Sequence, residues 1–325
     1  MTEKEQLRLL SSRHTAKWVR RYINKHDFKS SAELKLLELE NADDIIRIYI
    51  KKYGLSTEAQ LKMLDLPQAE GLFRTYIEKR QICVEAQCKL FSLPNAEEMV
   101  KAYIEKYRLV DAAEFELFDL PNAEEMVLFY LEKHGELPES DIRLFKLPHA
   151  EDIVLDYIEN NSLSPEAQLK MFELPHAESV VLKYIKDDWL CREAEIKLFD
   201  LPNAKSIVPE YIAKHDLRDK AELKIFVLPN AAKVIDNYID KYPLGKKAQV
   251  KLFELPNAED LVRKYIAKYS LCTEAQIRIL DLPNAQELLG YMMNNSKLDR
   301  KVLDILVIRE FSNSNSNKQS VLITH

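Results

Sequence analysis

A chain of 325 residues that is 46% hydrophobic and 31% charged has material for a packed core and charge to cover a large surface, which excludes a disordered class. No stretch approaches the ~20 consecutive apolar residues of a membrane helix, and the opening Met1-Thr2-Glu3-Lys4 has neither the basic nor the apolar region of an export signal, so a cytoplasmic location is expected. The net charge of −6 comes from interleaved acids and bases, unlike the basic stripe of a general nucleic-acid binder.

The chain opens on an atypical segment. Leu7, Leu9, Leu10, Trp18, Val19, Tyr22 and Ile23 keep an apolar frame, while Arg13-His14-Thr15 stands where later segments read Pro-Asn-Ala. From Pro67 onward a Leu-Pro pair recurs every 27 residues, at Pro94, Pro121, Pro148, Pro175, Pro202, Pro229, Pro256 and Pro283, and tyrosine keeps the same period from Tyr22 to Tyr265. With the proline as slot 1, slots 3, 6, 7, 10 and 11 are apolar, the i, i+3, i+4, i+7, i+8 stripe of an amphipathic helix. Asparagine at slot 2 (Asn95, Asn122, Asn203, Asn257, Asn284) predicts a side-chain cap. Acids in the first turn and lysines in the last, among them Lys52, Lys214, Lys241 and Lys268, suit the helix dipole.

The second half of each segment predicts another helix. Ser164-Pro165-Glu166 supplies a cap, a first-position proline and an early acid. Apolar residues at slots 16, 20, 22, 24, 25 and 27 are too many for one stripe, so this helix is buried on more than one side. One anomaly stands in the first helices: Pro209 falls in mid-helix, where proline removes a backbone bond, and a kinked or late-starting helix is expected. At the far end Leu298, Leu303, Ile305, Leu306 and Ile308 continue a last helix, followed by the Ser/Asn run from Ser312.

A helix of about 11 residues is marginal alone, and two cannot cover their own apolar faces, so the copies must stack. The expected fold is therefore all-α: a right-handed α-solenoid of about eleven 27-residue two-helix repeats. Residues 1–39 form an N-terminal capping repeat, 40–282 nine regular repeats, 283–311 a C-terminal capping repeat and 312–325 a disordered tail. Layers at ~8–10 Å spacing predict an arc on the order of 100 Å along its path; small-angle scattering returning a compact sphere would contradict this expectation.

This two-helix periodicity resembles the general class of α-solenoids that includes tetratricopeptide, HEAT and armadillo repeats, from about residue 7 to 311, although the 27-residue unit is shorter and their signature residues are missing. The resemblance implies binding on an extended surface.

Chemistry is scarce. Five scattered glycines offer no phosphate-cradling loop, and four scattered cysteines offer no disulfide framework or zinc site. His149 and His176 share slot 2 of adjacent segments and read as variant caps too far apart to share a ligand. No catalytic residue, cofactor or metal is expected, and the chain is read as a non-enzyme. A basic row at slot 23, from Lys35 to Arg278, could follow a phosphodiester backbone, but Glu58, Glu85, Glu139, Glu166, Glu193 and Glu274 stand four residues upstream as intrahelical partners. The tyrosines at slot 10 and the phenylalanines at slot 25 (Phe91 to Phe253) are expected in the core.

Binding is expected where exposed slots vary. Leu128, Leu155 and Leu182, joined by Phe129, predict an apolar row on the outer side of the first helices, with the alternative that they extend the local core. The exit-loop pair at slots 14 and 15 also varies, with Tyr107 and Trp189 the leading residues. Such pairs are similar in form to the base-reading pairs of TAL-effector-like DNA binders, whose flanking motif is absent here. The expected function is a protein-interaction scaffold with a protein or peptide partner; the alternative is a modular nucleic-acid reader.

Overall fold

The computed structural model describes residues 1–11, 15–39, 42–295 and 297–307, and every regular element among them is a helix. The expected tail at 312–325 and Ile308 lie outside the described residues. No described helix is long and apolar enough to cross a membrane. The chain divides into two compact units, Met1–Ala167 and Gln168–His325.

In the first unit, Thr15–Ile23, Asp43–Lys52, Ala69–Ile77, Ala96–Ile104 and Ala123–His134 pack each on the next, and so do Glu3–Leu10, Ser30–Leu37, Thr57–Leu64, Val84–Leu90 and Asp111–Leu117. Like therefore stacks on like, each partner one segment further along the sequence. The second unit repeats the scheme with Arg192–Lys197, Asp219–Lys224, Lys246–Lys251 and Thr273–Ile279, and pairs Ala177–Tyr184 with Ala204–Ile212 and Ala231–Tyr238 with Ala258–Lys268. Several second helices finish as short 3-10 turns at Leu198–Asp200, Ile225–Val227 and Leu252–Glu254. The leucine before each proline is extended, with ψ of 143, 144 and 148° at Leu201, Leu228 and Leu255, because the proline ring excludes the α region from its predecessor. The Leu-Pro pair is thus the stop signal of every such segment.

Slots 6, 7 and 10 are the core, as at Leu72, Phe73 and Tyr76 or Ile207, Val208 and Tyr211, and each such aliphatic side chain contributes about 1.5–3 kcal/mol on burial. The tyrosines do more than fill space. Their hydroxyls accept the backbone N–H of a loop residue 21 positions earlier: Phe28 to Tyr49 (3.1 Å), Leu55 to Tyr76 (3.3 Å), Leu190 to Tyr211 (3.3 Å), Leu217 to Tyr238 (3.0 Å) and Leu244 to Tyr265 (3.2 Å).

Sequence reasoning missed a second buried polar row. Slot 21 carries Gln6, Glu33, Gln60, Gln87, Glu114 and Asp141 in the first unit, then Gln168, Glu195, Glu222, Gln249 and Gln276, and all are buried. Except at Glu114, where Leu137 donates to Tyr157 instead, their side-chain oxygens accept the N–H of the residue 23 positions on, which opens the second helix of the next layer: Cys83 to Gln60 (2.7 Å), Val110 to Gln87 (2.9 Å), Cys191 to Gln168 (2.6 Å) and Cys272 to Gln249 (2.6 Å). That N–H precedes the helix and has no intrahelical acceptor. Each layer therefore satisfies the next one. The signal was in the sequence: a Gln, Glu or Asp between apolar slots 20 and 22, at the 27-residue period.

Other expectations need correction for the same reason, that polar groups here bond between layers. The slot-2 asparagines occupy the N-cap position of their helices but make no capping bond. Slot 2 reaches sideways instead: Asn203 donates through its N–H (3.1 Å) and its Nδ2 (2.9 Å) to Glu178, and His149 does so to Glu124 through its N–H (3.3 Å), with its Nδ1 2.9 Å from the same carboxylate. The lysines of the last turn act on the neighbouring helix's dipole, since Lys52, Lys214 and Lys241 each donate to a carbonyl at the C-terminal end of the preceding first helix, Asn24, Lys186 and Ala213. Ser164 does cap, its Oγ accepting the Ala167 N–H at 3.2 Å.

Pro209 neither delays nor ends its helix, which runs Ala204–Ile212 and begins at the same slot as Ala177–Tyr184 and Ala231–Tyr238. The carbonyl that loses its donor to proline is that of Lys205, four residues back. Asn230 Nδ2 of the next segment donates to it at 3.0 Å. Removing that amide with Asn230→Ala should cost about 1–2 kcal/mol and should let backbone exchange open this helix first, as read by amide hydrogen exchange of Ala204–Ile212.

Candidate functional site

The first helices expose slot 12 and, fully or in part, slot 8, whereas slot 9 is buried at Thr75 and Ala102, and the proposed row divides between the two units. In Met1–Ala167, Leu128 is 43% exposed. Phe129, beside it on Ala123–His134, is half-buried under two ammonium groups, with Lys101 and Lys133 Nζ 5.8 and 5.4 Å from its ring centroid. Lys101 is itself held by Glu125 at 2.5 Å. Leu155 is half-buried. The result at Leu128 and Phe129 is an apolar spot rimmed by lysines, a geometry in which ring quadrupole and cations attract one another.

In Gln168–His325, Leu182 is half-buried and lines a cavity of about 380 Å3 with Ile185, Lys186, Ser206, Glu210 and Lys214. Trp189 is 55% exposed and its ring lies 4.4 Å from that of His215, which is buried and in turn 4.8 Å from Tyr211. Burial holds the His215 pKa below its ordinary value, so the imidazole beneath the indole is neutral at pH 7. Leu182 and Trp189 thus belong to a different unit from Leu128, Phe129, Leu155 and Tyr107.

Slot 14 is not the drifting loop position that its variability suggests. Its aromatic ring packs on the slot-10 tyrosine one turn earlier: Tyr49 with Tyr53 (5.3 Å), Tyr103 with Tyr107 (5.4 Å), Tyr238 with Tyr242 (5.3 Å) and Tyr265 with Tyr269 (5.1 Å). Two of the slot-14 residues that are not tyrosine bind a carbonyl at the end of the preceding first helix, Arg80 that of Ile50 (2.9 Å) and His134 Nε2 that of Ile104 (2.8 Å). Tyr107, half-buried on Tyr103, is part of this internal packing. Trp189, one slot further on, projects past it.

Most of the slot-23 bases meet a carboxylate, though other acids than expected. Lys89, Arg143 and Lys224 meet Asp65 (2.6 Å), Asp119 (3.2 Å) and Asp200 (2.7 Å), each 24 residues earlier, Lys62 meets Glu38, and Lys170 meets Glu173 three residues on at 2.7 Å. The slot-25 phenylalanines are half-buried rather than core. Lys197 and Lys251 stand 6.0 Å over the rings of Phe172 and Phe226. This face is therefore an ionic and cation–π lattice between layers.

Among the described residues no group of three or more His, Cys, Asp or Glu side chains could hold a metal ion. Comparison with protein-family models, with curated proteins and with solved structures finds no match.

Proposed function

We propose that this chain is a non-enzymatic binding scaffold, a right-handed α-solenoid of about eleven 27-residue repeats that takes a protein or peptide partner on the exposed side of its first helices. The observation that carries this reading is the exposure of two large apolar side chains, Leu128 and Trp189, the second of them fixed by ring packing. They are 43% and 55% exposed, and the Trp189 ring is held against His215 at 4.4 Å. A fixed tryptophan is the usual material of an interface hot spot, and an exposed apolar spot with a polar rim marks an interaction site. The like-with-like stacking and the recurrent hydrogen bonds support the repeat architecture, and the mostly paired slot-23 row supports a protein partner over a nucleic acid.

The test is a pair of measurements on each of the single substitutions Leu128→Ser and Trp189→Ser, which lie in different units. Affinity for a partner recovered by affinity capture and mass spectrometry should fall at least tenfold, while the melting temperature moves by no more than the shift that ~0.5 kcal/mol per exposed site produces. Unchanged affinity would remove this surface. A partner that proves to be nucleic acid, with an association constant falling steeply in salt, would favour the modular reader instead.

A further inference from the structure

The slot-17 N–H reaches the slot-21 side chain of the layer before, as at Lys29, Ser56, Val110, Ser164 and Arg218, although Leu137 donates to Tyr157 instead. Where slot 17 carries a donor, its side chain can also cover that group, as Ser164 Oγ does by donating to Asp141 at 2.7 Å. At Glu195 the cover is Arg218, which donates its N–H at 3.2 Å and places a guanidinium nitrogen 2.9 Å from Oε1, while Tyr211 donates to the same oxygen at 3.1 Å. One layer on, the slot-21 residue is Glu222, only 3% exposed, and the covering residue is Gly245.

Gly245 is not there for backbone reasons. Its φ of −64° and ψ of 157° match the −76° and 155° of Arg218, a region open to any residue. What glycine changes is space. Glu222 leans toward the vacated position, so that a Cβ on residue 245 would meet its Oε2 at 2.9 Å, and both carboxylate oxygens accept the Gly245 N–H, at 3.1 and 2.9 Å. No side chain donates to Glu222 and no cation pairs with it among the described residues. Beside it opens a cavity of about 490 Å3, within the ~300–1,000 Å3 of small-molecule sites. Its remaining walls are Asp219 and Leu223 from the Glu222 helix, and Lys220, Lys246 and Lys247, three exposed lysines without an ion-pair partner among the described residues. Two of them, Lys220 and Lys247, occupy the slot that holds glutamate in Glu58, Glu85, Glu166, Glu193 and Glu274.

We propose that this cavity binds a small molecule with a guanidinium group at one end and a carboxylate or similar anion at the other. The guanidinium takes the place that Arg218 fills one layer earlier, on Glu222 with Asp219 beside it, and the anion meets the lysine rim. A bare cation is disfavoured by Lys220, Lys246 and Lys247, and a bare anion gains nothing from the buried carboxyl, so both ends are required. The charged groups around Glu222 are Asp216 and Asp219 on the near side and the three rim lysines, with the Tyr238 hydroxyl behind. Because the ligand needs Glu222 ionised, binding strengthens as pH rises through neutrality.

Calorimetric or NMR titration with 4-guanidinobutyrate is the direct test, with butylguanidinium and butyrate as single-ended probes. The double-ended probe should saturate and bind at least tenfold more tightly than either. Glu222→Gln should abolish this binding, and so should Gly245→Arg, which refills the cavity with the chain's own guanidinium at a backbone geometry that arginine already adopts at 218. Circular dichroism establishes that each variant is folded, and either folded variant suffices. No saturation of the wild-type chain at 10-millimolar-order probe, equal binding by butyrate alone, or full binding by a folded variant would each overturn the proposal.

Discussion

Replacing Gln249 by leucine should destabilise the protein by about 1–5 kcal/mol, although the substitution puts an apolar side chain of similar size into an apolar layer. Gln249 Oε1 accepts the Cys272 N–H at 2.6 Å, and its Nε2 donates to the Leu244 carbonyl at 2.7 Å and to the Tyr265 hydroxyl at 3.2 Å. The residue is 6% exposed, so water cannot replace it. Leucine strands the buried Cys272 N–H and leaves the Leu244 carbonyl only the longer bond from the Tyr265 hydroxyl at 3.4 Å, at about 1–3 kcal/mol each, against which extra apolar burial returns about 1 kcal/mol. Chemical denaturation read by circular dichroism measures the loss. A stability equal to or above the parent chain would show that the slot-21 row is incidental to layer stacking. The same argument predicts little effect for a leucine at exposed slot 8, and the contrast separates the inter-layer bond from apolar content.

Replacing Glu222 by glutamine should do the opposite, and in a pH-dependent way. Burial, and then the nearby Asp219 and Asp216, push the Glu222 carboxyl up to about 7, opposed only by the Gly245 N–H. A carboxyl whose folded pKa lies above its unfolded one binds its proton more tightly in the folded state. Its contribution is fully present below the ordinary carboxylate range and is lost as pH rises through about 7. Glutamine, the residue found at Gln168 and Gln249 in the same slot, carries no charge to desolvate and retains an acceptor for Gly245. Glu222→Gln should therefore be nearly neutral at pH 5 and stabilising by about 1–3 kcal/mol at pH 8. Thermal unfolding at the two pH values checks the sign, and a variant less stable than the parent at pH 8 would refute it. Glu195 is the useful control: burial raises it as well, but Arg218 opposes the shift, and Glu195→Gln would strand that guanidinium rather than relieve a charge.

By itself the sequence determined the repeat length, the two-helix unit, the apolar core slots and the end of each segment at Leu-Pro, because periodicity and proline sterics are local properties of the chain. It also pointed to Leu128 on a first helix and Trp189 in an exit loop as candidate surface residues, but it grouped Leu128 with Leu155 and Leu182, which the structure half-buries. The destinations of the polar groups were decided by the tertiary structure. Asn203 at a helix start reads as a cap, yet it binds Glu178 of the layer before; Lys214 reads as a partner of its own helix dipole, yet it serves the Lys186 carbonyl; Pro209 reads as a break, yet Asn230 fills the gap it leaves. Sequence rules place such bonds within about four residues, the reach of one helical turn. In this fold the nearest unsatisfied group lies 23 to 28 residues away, one layer over, because short helices present most of their terminal N–H and carbonyl groups to a neighbour rather than to themselves. For the same reason the Glu222 cavity was invisible from the sequence: Gly245 and Glu222 are 23 residues apart, and only stacking brings the missing side chain over the buried carboxyl.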